Sequence, residues 1–370
     1  MLSGHTMHNS KRHLARVAAA ATGQSSKFKV QSSKSNIAKR LTRNLGLLMT
    51  LATLTGIAYS KLFVPHALPL PPALEGERRA FTGRRAGRLS YYVAGPAVSD
   101  GAAPLLLIHS INAAASAYEV RPLFDHYRQQ RRVYALDLPG FGFSERSRRD
   151  YTARLYTDAV LDMLDEITRE AGNVPVDALA LSLSSEFLAR AATEQADRFA
   201  TVALVSPTGF RKDDSFYGAS GSSRGLPFLN KLYEFPLWSG AFFDLLNSRV
   251  SQRYFLAKTF GSNEAIDQGL LEYDYVTAHQ PGAQHAPYGF ISAIPFSADI
   301  NRVYDMIELP VWLAHGVRGD FTDYGGTHKL AARPRWELRV FQTGGLPYFE
   351  RPDEFFAAYD GFVERASALR

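Results

Sequence analysis

The 370-residue sequence predicts an α/β fold, a mostly parallel, doubly wound sheet with an inserted helical cap, preceded by a single N-terminal hydrophobic helix. Three observations carry this prediction. Apolar, β-branched runs alternate with helical patterns from about residue 78 onward, the signature of parallel strands buried on both faces. The strand pattern stops between Gly209 and Leu309, where aromatic residues crowd together. Before the body, Asn44 to Ser60 runs seventeen residues without a charge.

Charge is distributed unevenly along the chain. Residues 1–74 hold ten Lys or Arg and no acid, the first being Glu75, which leaves 32 bases against 36 acids and a net −4 for the rest. The basic character therefore belongs to the N-terminal segment, and no nucleic-acid groove is expected in the body. Apolar residues make up 46 % of the chain, enough for a sizeable core. The absence of cysteine excludes disulfides, thiolate metal sites and a cysteine nucleophile.

Residues 1–43 are rich in Ser, Lys, Arg and Ala without hydrophobic periodicity, a composition that favours disorder. A transmembrane or signal-anchor helix is expected over 44–64. Its uncharged run would span roughly 25 Å, near the lower limit for crossing a bilayer. Arg43 and Lys61 flank it, and the positive-inside bias keeps the N-terminus cytoplasmic. The alternatives are cleavage near Ala58-Tyr59-Ser60, giving a secreted protein, and organelle targeting. A Pro-rich spacer follows over 65–77.

The core is expected over 78–208 and 306–370. Its strands are RLSYYVAG, PLLLIHS, RRVYALDLPG, VDALALS, ATVALVSPTG, LPVWLAHG and WELRVFQTG, in that order. Helices fit Thr152–Gly172, SEFLARAATEQ and DEFFAAYDGFVERAS. Residues 209–305 read as a helical cap whose aromatics mostly pack one another, a minority lining a pocket.

Ser182 falls between a strand and a helix, with Ala180 and Ser184 two residues to either side. A nucleophile on so sharp a turn needs small neighbours. Helix capping by Ser182 is the bland alternative, and the flanking strand and helix favour the turn. Further motifs follow the same order. LLLIHSINAAASAYEVRPLF has a His-Ser pair leading into a loop, YALDLPGFGFSER is an Asp-x-x-Gly-x-Gly-x-Ser segment, LPVWLAHGVRGDF ends in an acid, and ERPDEF opens the last helix.

Together these segments resemble the α/β-hydrolase fold family, of the cap-bearing esterase, lipase and epoxide-hydrolase kind, over residues 78–368. The resemblance implies Ser182 as nucleophile, the amides of Leu183 and Ile111 as oxyanion hole, and Asp320 as the acid that orients an imidazole. Asp320 lies four residues after Gly316, where three is usual, and Asp323 competes for the role. Ser110 stands where the family usually has Gly. The Arg-Gly-Asp tripeptide at 318–320 is incidental.

The resemblance also exposes a gap. Aligned on Pro347, Glu350 and Pro352, the family's catalytic His position holds Gly345, and Tyr348 takes the next characteristic place. No His follows His328. Without a base a serine hydroxyl is scarcely nucleophilic, and loss of a triad member leaves about 10³–10⁴-fold catalysis over water. His328 is the preferred substitute, nearest the acid in sequence. His109 and His315 read as structural, His279 and His285 as remote candidates in the cap, and Tyr348 as a poor base.

No HExxH or paired Asp/His spacing points to a metal, and no cofactor is expected. The expected function is therefore a membrane-anchored serine hydrolase of the carboxylic-ester type, with an incomplete triad and an uncharged, apolar substrate under the cap. The alternative is a pseudo-enzyme that binds a small apolar ligand. Non-hydrolytic chemistry such as a lyase reaction stays open, because fold does not fix reaction. The sequence sets neither substrate nor oligomeric state.

Overall fold

The computed structural model describes residues 43, 44, 46, 49–98, 102–319, 323–327 and 333–368. The chain divides into two compact units, Met1–Leu62 and Phe63–Arg370. In the first, the described residues from 49 onward are helical. Among the described residues no helix is long and apolar enough to cross a membrane. Leu45, Leu47 and Leu48 of the expected span lie outside the described residues.

The second unit is built on an eight-stranded sheet. Its strands are β1 (Glu77–Gly83), β2 (Gly87–Ala94), β3 (Leu105–Ile108), β4 (Val133–Asp137), β5 (Val176–Leu181), β6 (Phe199–Val205), β7 (Val311–Gly316) and β8 (Trp336–Phe341), in the order β1-β2-β4-β3-β5-β6-β7-β8. β2 is antiparallel to both its neighbours, and every pair from β4 to β8 is parallel. β3 to β7 are buried along their whole length. This is why their sequences read as continuous apolar runs. Successive residues still go to opposite faces. Leu106, Ile108, Ala178, Ala180, Val202 and Leu204 join one core cluster, while Leu105, Leu107, Leu179, Leu181, Ala203 and Val205 join the other.

β1 was not among the expected strands. It is an edge strand, ERRAFTG, with exposed charged residues. Such an edge is kept polar against pairing with other chains, so it lacks the apolar run that marks the interior strands. Helices Ala153–Ala171, Ser184–Glu194 and Pro352–Ser367 flank the sheet close to their expected positions.

Between β6 and β7 the regular elements are six helices, Pro227–Tyr233, Ser239–Leu246, Arg249–Phe260, Gln268–Ala278, His285–Ile291 and Ile300–Asp305. This cap is tied to the core by buried polar contacts. Arg190 of helix Ser184–Glu194 pairs with buried Asp299 at 2.6 Å. The Arg146 guanidinium donates to the carbonyl of Thr277 at 2.8 Å.

Candidate active site

Strand register assembles the site. Ile108 pairs with Ala180, Leu181 with Val205, Val205 with Ala314, and Gly316 with Phe341. The carboxyl ends of five parallel strands therefore lie in one row, and the loops that follow them meet above it. In open α/β sheets this is where ligands bind.

Ser182 stands in this row, between the ends of β3 and β6. It follows β5, its φ is +51°, and its amide donates to the carbonyl of Val205 at 2.8 Å. Few non-glycine residues adopt this left-handed conformation, which costs roughly 1–2 kcal/mol and is characteristic of strained functional turns. The side chain is half-buried, and its hydroxyl has no hydrogen-bond partner among the described residues. It does not cap the following helix, whose first-turn cap position is Leu183 and carries no side-chain bond.

The amides of Leu183 and Ile111 are also without partners among the described residues, and both residues are buried. Ser184 links the two segments, its Oγ donating to the carbonyl of His109 at 2.6 Å. Sequence reasoning treated Ser184 only as a small neighbour. The structure makes it the fastener between the Ser182 turn and the loop after β3.

That loop has a second support that sequence reasoning missed. Buried Glu119 accepts from the amide of Ser110 at 2.7 Å, from its hydroxyl at 3.0 Å and from Asn112 Nδ2 at 2.7 Å. The serine in place of the family's glycine thus gains a partner. Burial pushes the Glu119 carboxyl up, and the bonds from Ser110 and Asn112 oppose that shift. Nearby Asp274, from cap helix Gln268–Ala278, is pushed up by burial and then by the charge of Glu119.

The Asp-x-x-Gly-x-Gly-x-Ser segment is structural. The buried Asp137 carboxylate accepts from the amides of Phe143 at 3.0 Å and Ala117 at 3.3 Å, and Ser144 Oγ donates to its carbonyl at 2.5 Å. Burial pushes Asp137 up to about 6 despite these bonds. Gly142 has φ +51°, and a Cβ there would fall inside the Asp137 carboxylate.

The histidines that are described are otherwise engaged. His109 Nε2 accepts from the amide of Leu138 at 3.0 Å, so Nδ1 carries the proton and donates to the carbonyl of Ser110 at 2.7 Å. Burial lowers its pKa to about 4. His315 bonds the carbonyl of Gly316 and stacks on Tyr324. His279 bonds the carbonyl of Tyr275, and His285 bonds Glu234. Among the described residues no imidazole bonds Ser182. Tyr348 is buried, and its hydroxyl donates to the carbonyl of Glu119 at 2.8 Å. Burial pushes that hydroxyl well above its usual range.

Gly345 sits in the loop after β8, which reaches across to β6. Ser206, the residue after β6, donates through Oγ to the Gly345 carbonyl at 2.6 Å. Ser206 adjoins Val205, the acceptor of the Ser182 amide, so Gly345 lies one strand end away from the Ser182 turn. A Cβ at Gly345 would meet Thr259 no closer than 3.4 Å and Ser206 Oγ at 3.9 Å. Asp320 and His328 lie outside the described residues. Asp323 is exposed and ties its loop to the segment after β6, accepting from the amides of Gly325 at 3.1 Å and Lys212 at 3.4 Å.

Residues 105–358 match the sequence profile of the alpha/beta hydrolase family, a span that contains the Ser182 turn, the loop after β3, the cap and Gly345. The chain belongs to this family. Its fold is shared by many solved structures. One is a serine hydrolase involved in carbazole degradation, 15 % identical with a TM-score of 0.59, covering 80 % of this chain and 100 % of that one. A bacterial membrane phospholipase A is 19 % identical with a TM-score of 0.58, covering 89 % and 99 %. Naproxen esterase from Bacillus subtilis is 18 % identical with a TM-score of 0.56, covering 78 % and 93 %. No curated protein matches the sequence. At these identities the likeness concerns the fold, and the α/β hydrolase's own residues must supply any reading of its chemistry.

Proposed function

We propose that this α/β hydrolase is a serine hydrolase that attacks uncharged, apolar esters through Ser182. The strained, half-buried turn at Ser182 is the observation that carries the reading. In this reading the Ser182 oxygen adds to the ester carbonyl and the amides of Leu183 and Ile111 receive the developing oxyanion. The alkoxide leaves with a proton, and water then releases the acid and restores the serine. Asp320 is the proposed acid, and Gly345 takes the place of the family's base. His328, the proposed substitute, would make proton transfer slower than in a complete triad. The aromatic cap and buried core fit an apolar substrate.

The same features support a second reading, a pseudo-enzyme that binds an apolar ligand. Gly345 and the engaged state of His109 and His315 favour it. Labelling by a fluorophosphonate probe separates the two. Wild-type labelling that disappears in Ser182→Ala supports the hydrolase. No labelling of the folded wild type, with tight binding of an apolar ester analogue, favours the binder.

We also propose that the N-terminal segment attaches the protein to a membrane. Its support is the seventeen-residue uncharged run between Arg43 and Lys61 and the absence of acids before Glu75. Carbonate-resistant fractionation with membranes is the expected result, and release into the soluble fraction would exclude it.

A further inference from the structure

The first three cap helices carry markedly exposed apolar side chains. Phe228 is 68 % exposed, Leu245 70 % and Val250 82 %, and Leu237 and Tyr254 are exposed beside them. Phe228, Leu245, Val250 and Tyr254 belong to three consecutive helices, Pro227–Tyr233, Ser239–Leu246 and Arg249–Phe260, and Leu237 to the turn between the first two. Tyr233 stacks on Phe242 at 5.3 Å, joining the first two helices, and the second packs on the third. Exposed side chains of this size on one packed layer mark an interaction surface.

Charge on the same layer narrows the partner. Residues 226–260 contain four bases, Lys231, Arg249, Arg253 and Lys258, and two acids. Both acids are withdrawn. Glu234 is bonded to Arg148 and His285, and Asp244 is buried and bonded to His66. Lys231, Arg249 and Arg253 remain exposed, with Arg249 bridged to Glu272 of the next helix. Apolar and aromatic side chains interleaved with cations match an anionic lipid interface, where bases near the surface are attracted to the headgroups.

The course of the chain agrees. The linker behind the acid-free N-terminal segment is fastened to the cap. His66 Nε2 lies 2.9 Å from Asp244 Oδ2, next to exposed Leu245. Gln280 Nε2 donates to the Leu68 carbonyl at 2.7 Å, and the Tyr273 hydroxyl to that of Pro71 at 2.9 Å. Linker residues 66–71 therefore run along the cap. We infer that the face formed by these three cap helices docks on an anionic phospholipid bilayer. The inference does not depend on turnover at Ser182.

The lack of native cysteine allows a clean test on the full chain. Leu245→Cys and Val250→Cys, each labelled with a polarity-sensitive fluorophore, are compared with Asp197→Cys at the opposite end of β6. Vesicles of equal parts phosphatidylcholine and phosphatidylglycerol should shift emission of the two cap probes to the blue. Spin-labelled lipids should quench them, and the Asp197 probe should not respond. Leu245→Asp combined with Val250→Asp should keep the circular dichroism and lower vesicle affinity severalfold. The inference is overturned if the cap probes stay silent while the chain sediments with vesicles, since the N-terminal segment alone would then be binding. An equal response to pure phosphatidylcholine overturns the anionic preference. A concentration-dependent shift without lipid assigns the face to a second copy of the chain instead.

Discussion

Glu119 accepts hydrogen bonds from both the amide and the hydroxyl of Ser110, at 2.7 and 3.0 Å. One buried carboxyl thereby fixes the start of the loop that presents the Ile111 amide. Because Asn112 also donates to it at 2.7 Å, three donors depend on a single side chain. Glu119→Gln keeps the volume but turns an amide NH₂ toward some of those donors. If the Ile111 amide receives the oxyanion as proposed, a small displacement of it costs as much as about 10²-fold in rate. The expected result is a 10–100-fold slower fluorophosphonate labelling of Ser182, by that same order of effect. An unchanged labelling rate would remove Glu119 from the positioning of this loop.

Glu186 has a corresponding role between core and cap. It is buried on the helix after Ser182, and its carboxylate accepts from Thr208 Oγ1 at 2.5 Å, Arg224 at 3.1 Å and the Ser297 amide at 2.8 Å. Arg224 also stacks over Phe216 at 3.9 Å. Glu186→Ala strands the Arg224 charge and two buried donors, which costs about 3–5 kcal/mol. Glu186→Gln should cost less, since it retains one acceptor. Urea unfolding gives the two values, and protease cleavage between residues 209 and 305 should accelerate more in the Ala variant.

How much of this could be read from the sequence depends on where each signal resides. Strands β3 to β7 were legible because burial on both faces writes itself into local runs such as LLLI and VDALAL. β1 was not, because its sequence, ERRAFTG, opens on three charged residues and has no such run. The Ser182 turn was legible from its small neighbours and from the strand and helix on either side. Glu119, Ser184 and Glu186 were not, because their meaning comes from partners distant in sequence. Ser184 meets His109 across 75 positions, and Glu186 meets Ser297 across 111. No local pattern encodes such pairs.

Two buried groups should give stability opposite dependences on pH. His109 is lowered from 6.5 to about 4, so between those values the unfolded chain binds a proton that the folded one does not. Stability from this group is complete above pH 6.5 and is lost on acidification toward pH 4. Asp137 is raised from 3.8 to about 6, so the folded state takes up the proton first. Its burial therefore costs stability at neutral pH, and that cost is relieved on acidification. Each shift corresponds to about 3 kcal/mol, so the two nearly offset. Asp137→Asn should lose stability more steeply than wild type from pH 6.5 to 4, and His109→Gln less steeply. Parallel pH profiles for both variants would refute the assignment.

Gly344 and Gly345 should respond differently to a side chain although they are neighbours. A Cβ at Gly344 would lie 2.5 Å from three backbone atoms of Phe260, at the end of a cap helix, and that backbone cannot yield without moving the helix. Gly344→Ala should therefore destabilise by about 1–3 kcal/mol, the usual cost of overpacking. At Gly345 the nearest atom is the Thr259 carbonyl oxygen at 3.4 Å, ordinary contact, and the residue has no positive φ that would penalise a side chain. Gly345→His should fold with a melting temperature close to wild type. If this is the position of the missing base, the imidazole restores part of what loss of a triad member removes, and hydrolysis of a short-chain nitrophenyl ester should rise by about 10²-fold or more. Solvent exchange or ring-nitrogen NMR then reports whether the new imidazole bonds the serine. A folded variant with unchanged hydrolysis and unchanged labelling of Ser182 would place the proton acceptor elsewhere.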